Sequence, residues 1–295
     1  MCRFLAYSGK AVLMHELLYS PKNSLIKQSI SANEADEPLN GDGFGIGWYN
    51  HELDNAPGVY ASIRPAWNDR NLNSLSQKIQ STCFFAHVRA ASTGEVSESN
   101  CHPFAFKNLL FMHNGGIEDF EAVKRVLRRK LSDEIYNWVR GQTDSEHLFA
   151  LFVHNLTLKY SLQPTAAQML EVMNETVLEI VAIKREMGIT SNDYINVTVT
   201  DGHVTVGLRY VTEESEKAST LYYSKGSRYE CNDGVCQMVK TDAPDEKSVL
   251  IVSEKLTTIK RDWVEIPTNH FIVVSKDQEI EIVPFSKESK MTKAA

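Results

Sequence analysis

The chain opens Met1-Cys2-Arg3-Phe4-Leu5-Ala6-Tyr7-Ser8. Arg3 to Ser8 is rich in strand-forming residues and ends at Gly9, so it predicts a β-strand with a cysteine at its very start. If Met1 is removed, a thiol and a free α-amine share one residue. A chain-end amine has a pKa of about 7.7–8.0, so near neutral pH an appreciable fraction is able to take a proton from the attacking group. The thiolate is strongly nucleophilic and its pKa is lowered by a nearby cation. The plain alternative is that Cys2 is a small buried hydrophobe that happens to come early.

Outward from this strand, β-rich runs recur at Phe44 to Tyr49, Val59 to Arg64, Cys83 to Ala91 and Leu109 to His113, punctuated by Gly, Pro, Asn and Asp. Helical periodicity follows. Phe120, Val123, Val126, Leu127 and Leu131 make one apolar face across Glu118 to Leu131. Ser145 to Tyr160 and Thr165 to Met187 read as two longer helices. Pro164 stands at the start of the second, and Thr143 or Asp144 is placed to cap the first, with Glu146 in its early turn. Strands return at Tyr194 to Thr200 and His203 to Tyr210, around Asp201-Gly202, a two-residue signal of a tight hairpin. Further strands are expected at Leu221 to Ser224, Val249 to Ser253 and Phe271 to Ser275. Strands, then helices, then strands predict an α+β domain of antiparallel sheets with helices packed outside. A single domain is expected over residues 2–285, followed by a polar, loose tail over 286–295.

The 295 residues are 42% hydrophobic, enough for a sizeable core. With 31 basic against 38 acidic residues the formal charge is -7, and the longest like-charged block is Arg128-Arg129-Lys130. Nucleic acid is not an expected partner, because phosphate binding needs clustered Lys and Arg. Five scattered cysteines do not read as a disulfide framework, so a reducing compartment is the default. No apolar run approaches the ~20 residues that span a bilayer, and Ser8, Gly9 and Lys10 interrupt the first hydrophobic stretch. A cleaved secretory signal would also discard Cys2, and a cytoplasmic location is expected.

Three residue groups supply what an N-terminal cysteine needs to attack an amide. Asn114-Gly115-Gly116 follows an apolar strand and offers a side-chain amide and a backbone N–H to an oxyanion; as plain chemistry it is equally a hairpin turn. Arg89 is a charge within the small-residue stretch Ala86-His87-Val88-Arg89-Ala90-Ala91, matched to a substrate carboxylate or to one of the chain's own acids. Asp144 is either a helix cap or a carboxylate for a substrate ammonium. Arg89 with Asp144 would read both ends of an α-amino acid.

Cys2-Arg3, His87-Val88-Arg89, Asn100-Cys101-His102-Pro103, His113-Asn114-Gly115 and Thr143-Asp144-Ser145-Glu146, in this order, resemble the glutaminase domain of class II glutamine amidotransferases. The resemblance implies a four-layer αββα sandwich of the N-terminal nucleophile hydrolase type. It implies that Cys2 attacks the γ-amide of a glutamyl group through a thioester and that Asn114 and Gly115 form the oxyanion hole. Arg89 would hold the α-carboxylate, Asp144 the α-amine, and Ser92 and Thr93 would add contacts from the loop. Where sugar-phosphate and purine members carry Trp after the arginine and His before the loop glycine, this chain has Ala90 and Thr93.

Asn40-Gly41-Asp42-Gly43-Phe44-Gly45-Ile46-Gly47-Trp48, the hairpin around Asp201-Gly202 with Arg209-Tyr210, and Leu221-Tyr222-Tyr223-Ser224 are similar to the stand-alone branch of that family. That branch acts on γ-glutamyl groups attached to a cysteine-derived amine. It implies a small-molecule γ-glutamyl substrate and leaves open a protein partner (a peptidase or a synthase) or a homo-oligomer. No cofactor and no metal are implied. Cys101 and His102 adjoin and should point to opposite faces, against a Cys–His dyad. Cys231 and Cys236 flank the turn-like Asn232-Asp233-Gly234, without further ligands at metal-binding spacing. The glycines around Asp42 lack the P-loop Lys and the acidic spacing of a Ca²⁺ loop and read as close packing beside the terminus. Two other readings stand beside hydrolysis: an ammonia-donating subunit of a separate synthase, and a non-catalytic interaction subunit.

Overall fold

The computed structural model describes residues 2–34, 38–91, 94–232, 235–240 and 247–288. In chain order its first half runs β1 (Arg3–Leu13), α1 (Met14–Leu18), α2 (Leu25–Ile30), β2 (Phe44–Trp48), β3 (Gly58–Ser62), α3 (Arg70–Ser76), β4 (Gln80–Val88), β5 (Phe104–Phe106) and β6 (Leu109–Gly116). Four helices follow: α4 (Phe120–Lys130), α5 (Asp133–Trp138), α6 (Asp144–Lys159) and α7 (Ala166–Glu186). The chain then returns to strands, β7 (Tyr194–Thr200), β8 (Thr205–Val211), β9 (Tyr222–Gly226), β10 (Arg228–Asn232), β11 (Val235–Val239), β12 (Ser248–Val252), β13 (Val264–Glu265), β14 (His270–Val274) and β15 (Ile280–Pro284).

Among the described residues the strands form a seven-stranded sheet, β13-β9-β12-β1-β4-β2-β3, a six-stranded sheet, β15-β14-β8-β7-β6-β5, and a separate two-stranded pair, β10-β11. Strand periodicity explains how they stack. In β1, Phe4 and Ala6 face the second sheet, where Leu110, Met112 and Ile272 meet them, while Leu5 and Tyr7 face the opposite way with Met14, Leu17 and Leu25 of the short helices. In β6, Leu109 and Phe111 face away from the first sheet into a core shared with α4, α6 and α7. Helices, sheet, sheet, helices are therefore the four layers expected, with antiparallel pairing throughout.

Several boundaries depart from the sequence reading for local reasons. β7 and β8 are joined by a four-residue connection, not a two-residue turn: the Asp201 carboxylate accepts the N–H groups of His203 and Val204, and Thr200 Oγ1 donates to the Val204 carbonyl. Thr143, not Asp144, caps α6, its hydroxyl accepting from the Glu146 N–H. Thr165 and Gln168 form a capping box on α7. Asn114-Gly115-Gly116 is not a turn: it continues β6 and pairs with Asn196, Ile195 and Tyr194.

The cysteine reading needs correction. Cys231 and Cys236 are directly opposed across the β10–β11 hairpin, with Cα atoms 4.0 Å apart, and are disulfide-bonded. Cross-strand register, which an odd cysteine count conceals, brings them within reach. Cys2, Cys83 and Cys101 are free thiols.

The glycines of β2 read as packing positions, and the structure agrees. A Cβ on Gly45 would lie 2.3 Å from the His102 carbonyl oxygen, and one on Gly47 2.8 Å from Pro103 Cγ. Overpacking of this kind costs about 1–3 kcal/mol. Gly45→Val is therefore expected to lower the urea unfolding midpoint clearly; an unchanged midpoint would show that the 102–103 segment yields without resistance.

Candidate active site

Parity brings the predicted residues to one end of the layer between the sheets. Phe4 pairs with His87 and Ala6 with Phe85, so Cys2 and Arg89 continue the inward-facing rows of β1 and β4. On the opposing sheet Leu110 and Met112 face inward, and Asn114 continues their row.

The Cys2 thiol donates to the Ala90 carbonyl at 3.4 Å. Burial pushes this thiol up, opposed by the Ala90 contact and by the Arg89 charge, while Asp144 pushes it further up. Both charged residues thus lie within electrostatic reach of the sulfur. Arg89 is 3% exposed; its Nη1 donates to the Glu95 carbonyl at 3.1 Å. Its backbone is clamped by Gly43 and Asp42, at 2.8 and 3.0 Å. Asp42 also accepts the Ala91 N–H through its carboxylate at 2.8 Å. Ser92 and Thr93 lie outside the described residues.

Asp144 is the first residue of α6, where the helix N-terminus favours an anion. Its Oδ2 accepts the Ile117 N–H and its Oδ1 the Ser145 N–H, both at 2.8 Å. Ser145 in turn meets His113. The His113 Nε2 lies 3.2 Å from the Tyr194 carbonyl and must donate to it. Burial lowers the pKa of His113, so the ring is neutral, and Nδ1 accepts from the Ser145 hydroxyl at 2.8 Å. Asp144 is therefore held from both sides, by the strand end and by its own helix.

Asn114 is 1% exposed, and both its amide nitrogen and its amide oxygen are without a hydrogen-bond partner among the described residues. Such a group is costly to leave unpaired, by about 1–3 kcal/mol. Gly115 beside it has φ +148, and a Cβ there would lie 1.8 Å from the Tyr194 carbonyl oxygen. No other residue fits that backbone.

Cys101 and His102 do not form a dyad: Cys101 Sγ contacts the Ser62 and Ser97 carbonyls, at 3.6 and 3.5 Å, while the His102 ring packs tilted against His87, at 4.2 Å between ring centroids. Among the described residues no cluster of three or more His, Cys, Asp or Glu is arranged to hold a metal ion, and no helix is long and apolar enough to cross a membrane.

A family model for class II glutamine amidotransferases matches residues 19–295. The chain belongs to this family. The probable glutamine amidotransferase DUG3 of Saccharomyces cerevisiae is 36% identical over 306 residues, covering 98% of this chain and 85% of that protein. The gamma-glutamyl-hercynylcysteine sulfoxide hydrolase of Mycobacterium tuberculosis is 31% identical over 120 residues, 40% of this chain and 50% of that protein. A solved glutamine aminotransferase class-II domain protein from Silicibacter pomeroyi has the same fold, with a TM-score of 0.66 at 22% identity, over 97% of this chain and 100% of that one. As a class II member the chain places a free cysteine, an orphaned amide, a buried arginine and an anchored aspartate at one end of its sandwich.

The motifs pointed to these residues but not to how they are held. Asp42 and Ser145 stand inside quoted motifs, yet their contacts, like that of the Ile117 N–H, are made only on folding.

The histidines generate a pH dependence. Burial lowers His87 to about 3 and His147 to about 4, so both are neutral when folded. The unfolded chain binds these protons below about pH 6.5, so their effect on stability is constant above that value and becomes unfavourable as pH falls towards the folded values. Denaturation midpoints are expected to decline from about pH 6.5 downward, before carboxylates titrate. A flat profile from pH 7 to 5 would contradict the neutral, buried assignment.

Proposed function

We propose that this chain hydrolyses γ-glutamyl amides through a glutamyl thioester on Cys2. The observation that carries the proposal is the buried Asn114 amide with no partner for its donor, on the inward row opposite the thiol. A donor held ready in a dry site is what a developing oxyanion requires.

The chemistry follows from the residues. Because burial keeps the Cys2 proton on sulfur, attack needs a base, and removal of Met1 supplies the α-amine on the same residue. The sulfur bonds to the γ-carbonyl carbon as the amine takes its proton. The carbonyl oxygen becomes an anion facing the Asn114 amide and the Gly115 N–H. The oxyanion collapses, the C–N bond breaks, and the leaving amine departs with the proton from the Cys2 ammonium. Water then gives a proton to the Cys2 amine and attacks the thioester, releasing glutamate and the thiol. Arg89 would pair with the α-carboxylate and Asp144 with the α-ammonium, which fixes the glutamyl end and leaves selection of the amine to other groups. The names of the yeast and mycobacterial relatives support γ-glutamyl chemistry of this kind. The small Ala90 after Arg89, where sugar-phosphate and purine members carry Trp, supports a leaving group larger than ammonia.

Intact mass should show the active protein beginning at Cys2, and Cys2→Ala should abolish glutamate release while the unfolding transition is retained. Full activity with Met1 in place would end the mechanism.

Specificity gives a second test. Removing one partner of a desolvated charge pair costs about 2–5 kcal/mol, so Arg89→Ala and Asp144→Ala should lower kcat/KM by roughly tens- to thousands-fold. Substrates lacking the α-amine should be rejected by the wild type but hardly at all by Asp144→Ala; equal discrimination by both proteins would remove Asp144 from the ammonium site. Measured across glutamine, γ-glutamylcysteine and glutathione, kcat/KM should be at least as high for the bulky amines as for glutamine. A marked preference for glutamine would favour an ammonia-donating role.

A further inference from the structure

Arg3 lies on the face of β1 opposite Cys2, among the short helices, and it is 1% exposed. Its Nε donates to Glu254 Oε2 at 3.0 Å, and Glu254 is equally buried. Its Nη1 reaches back to the Cys2 carbonyl at 2.9 Å. One guanidinium therefore ties the backbone of the nucleophile to a carboxylate 251 positions away in sequence.

That carboxylate holds a second element. Glu254 Oε1 accepts the Asn33 N–H at 2.9 Å and the Asn23 amide at 2.8 Å, and Oε2 accepts the Glu34 N–H at 3.0 Å. Burial alone would raise its pKa, but these donors and Arg3 hold it below the ordinary carboxylate value. Ala32, next to Asn33, donates its N–H to the Pro38 carbonyl, Asn40 donates its N–H to the Ser29 carbonyl, and Asp42 beyond it clamps Arg89 and Ala91. Between those two stands Ala90, the acceptor of the Cys2 thiol.

A buried ion pair is weak evidence for a stabilising role, because desolvation offsets much of the attraction. Here both lines of contact end on Cys2. The first residue of a chain has a covalent neighbour on one side only and frays unless it is tied down. We infer that Glu254 is a positioning residue: through the Arg3 fork it fixes the Cys2 carbonyl, and through the 33–34 turn it fixes the segment that receives the Cys2 thiol. This rests on the reading of Cys2 as the nucleophile.

Two variants test it, Arg3→Lys and Glu254→Gln, with kinetics and hydrogen exchange measured on the same full-length protein. Lysine keeps the charge beside Glu254 but replaces a planar fork with one nitrogen, so it cannot serve Glu254 and the Cys2 carbonyl in the same geometry. A displacement of about 1 Å at a reacting group costs roughly 100-fold, so Arg3→Lys should lower kcat about 10- to 100-fold with KM changed less than about threefold. Amide exchange should accelerate in the peptide that contains Cys2 to Ala6, while the middle of β4 and the strands of the second sheet keep their protection. Glu254→Gln should show the same pattern and also faster exchange at residues 32–34. Wild-type kcat and unchanged exchange in Arg3→Lys would overturn the inference. So would protection lost across both sheets, which assigns the pair a merely structural role. Local fraying in a protein whose wild type releases no glutamate would retain the tether and remove the proposed function instead.

Discussion

Alternation of side chains along β1, β4 and β6 is the constraint on which the rest depends. A strand offers two faces, and the one-residue offset between them decides whether a group lies between the sheets or under the helices. Cys2, Phe4 and Ala6 share the inward face with Phe85, His87 and Arg89, and Leu110, Met112 and Asn114 answer from the opposing sheet. A slip of one residue in the β1–β4 register would put the thiol among the short helices and Arg3 in the site. The register is secured by Phe4 and Leu5, which are packed on opposite sides and nearly inaccessible.

The same constraint explains why glycine recurs along β2. Gly45 pairs with His87 and Gly47 with Phe85, so both point into the inter-sheet layer. Without side chains there, the 102–103 segment and Leu110 approach the sheet directly. Phe44 and Ile46, one step out of phase, face the outer core. The polar end of this layer is lined by neutral histidines, with burial lowering His87, His102 and His113 alike. Arg89 and Asp144 act on the Cys2 thiol beside the charge of the chain-end amine, Arg89 pulling its pKa down and Asp144 pushing it up. That is a setting in which a single added proton or amine at the chain end changes the reactivity of the sulfur.

Most long elements were legible, α4 from the periodicity of its apolar face and α6 and α7 from their length and start signals. β7 matches its expected span, and α4, α6 and α7 lie within two residues of theirs. Others carry too little pattern. The helices α1, α2, α3 and α5 have five to seven residues, under two turns, and α1 has no side-chain cap. β13 is an edge strand of two exposed residues, and β15 is an edge strand with exposed residues mixed among partly buried ones. α6 is buried continuously from Asp144 to Val153, since it is covered by the sheet on one side and by α4 and α7 on others, which flattens its amphipathic signal. Of the proposed site, the residues that the structure brings together stand in short motifs. How they are held could not be read there, because Arg3 and Glu254, or His113 and Ser145, meet only through tertiary structure.

On the proposed mechanism, the position of β1 within its sheet bears on catalysis as much as on packing. It lies between β12 and β4 and pairs with both. Strand pairing begins at Arg3 on the β4 side and at Leu5 on the β12 side, so Cys2 is one residue beyond the ladder. A nucleophile within the ladder would be rigid but would have its backbone N–H committed to a neighbour; one further out would be free and disordered. One residue beyond is the place where a chain-end amine escapes strand pairing while its carbonyl is within reach of a side chain on the next residue. Arg3 makes that contact from the opposite face, and so leaves the inward face to the thiol, Arg89 and Asn114. With Cys2 as the proposed nucleophile, this division of one strand end gives the thiol and its anchor opposite faces of the same strand, so that neither displaces the other.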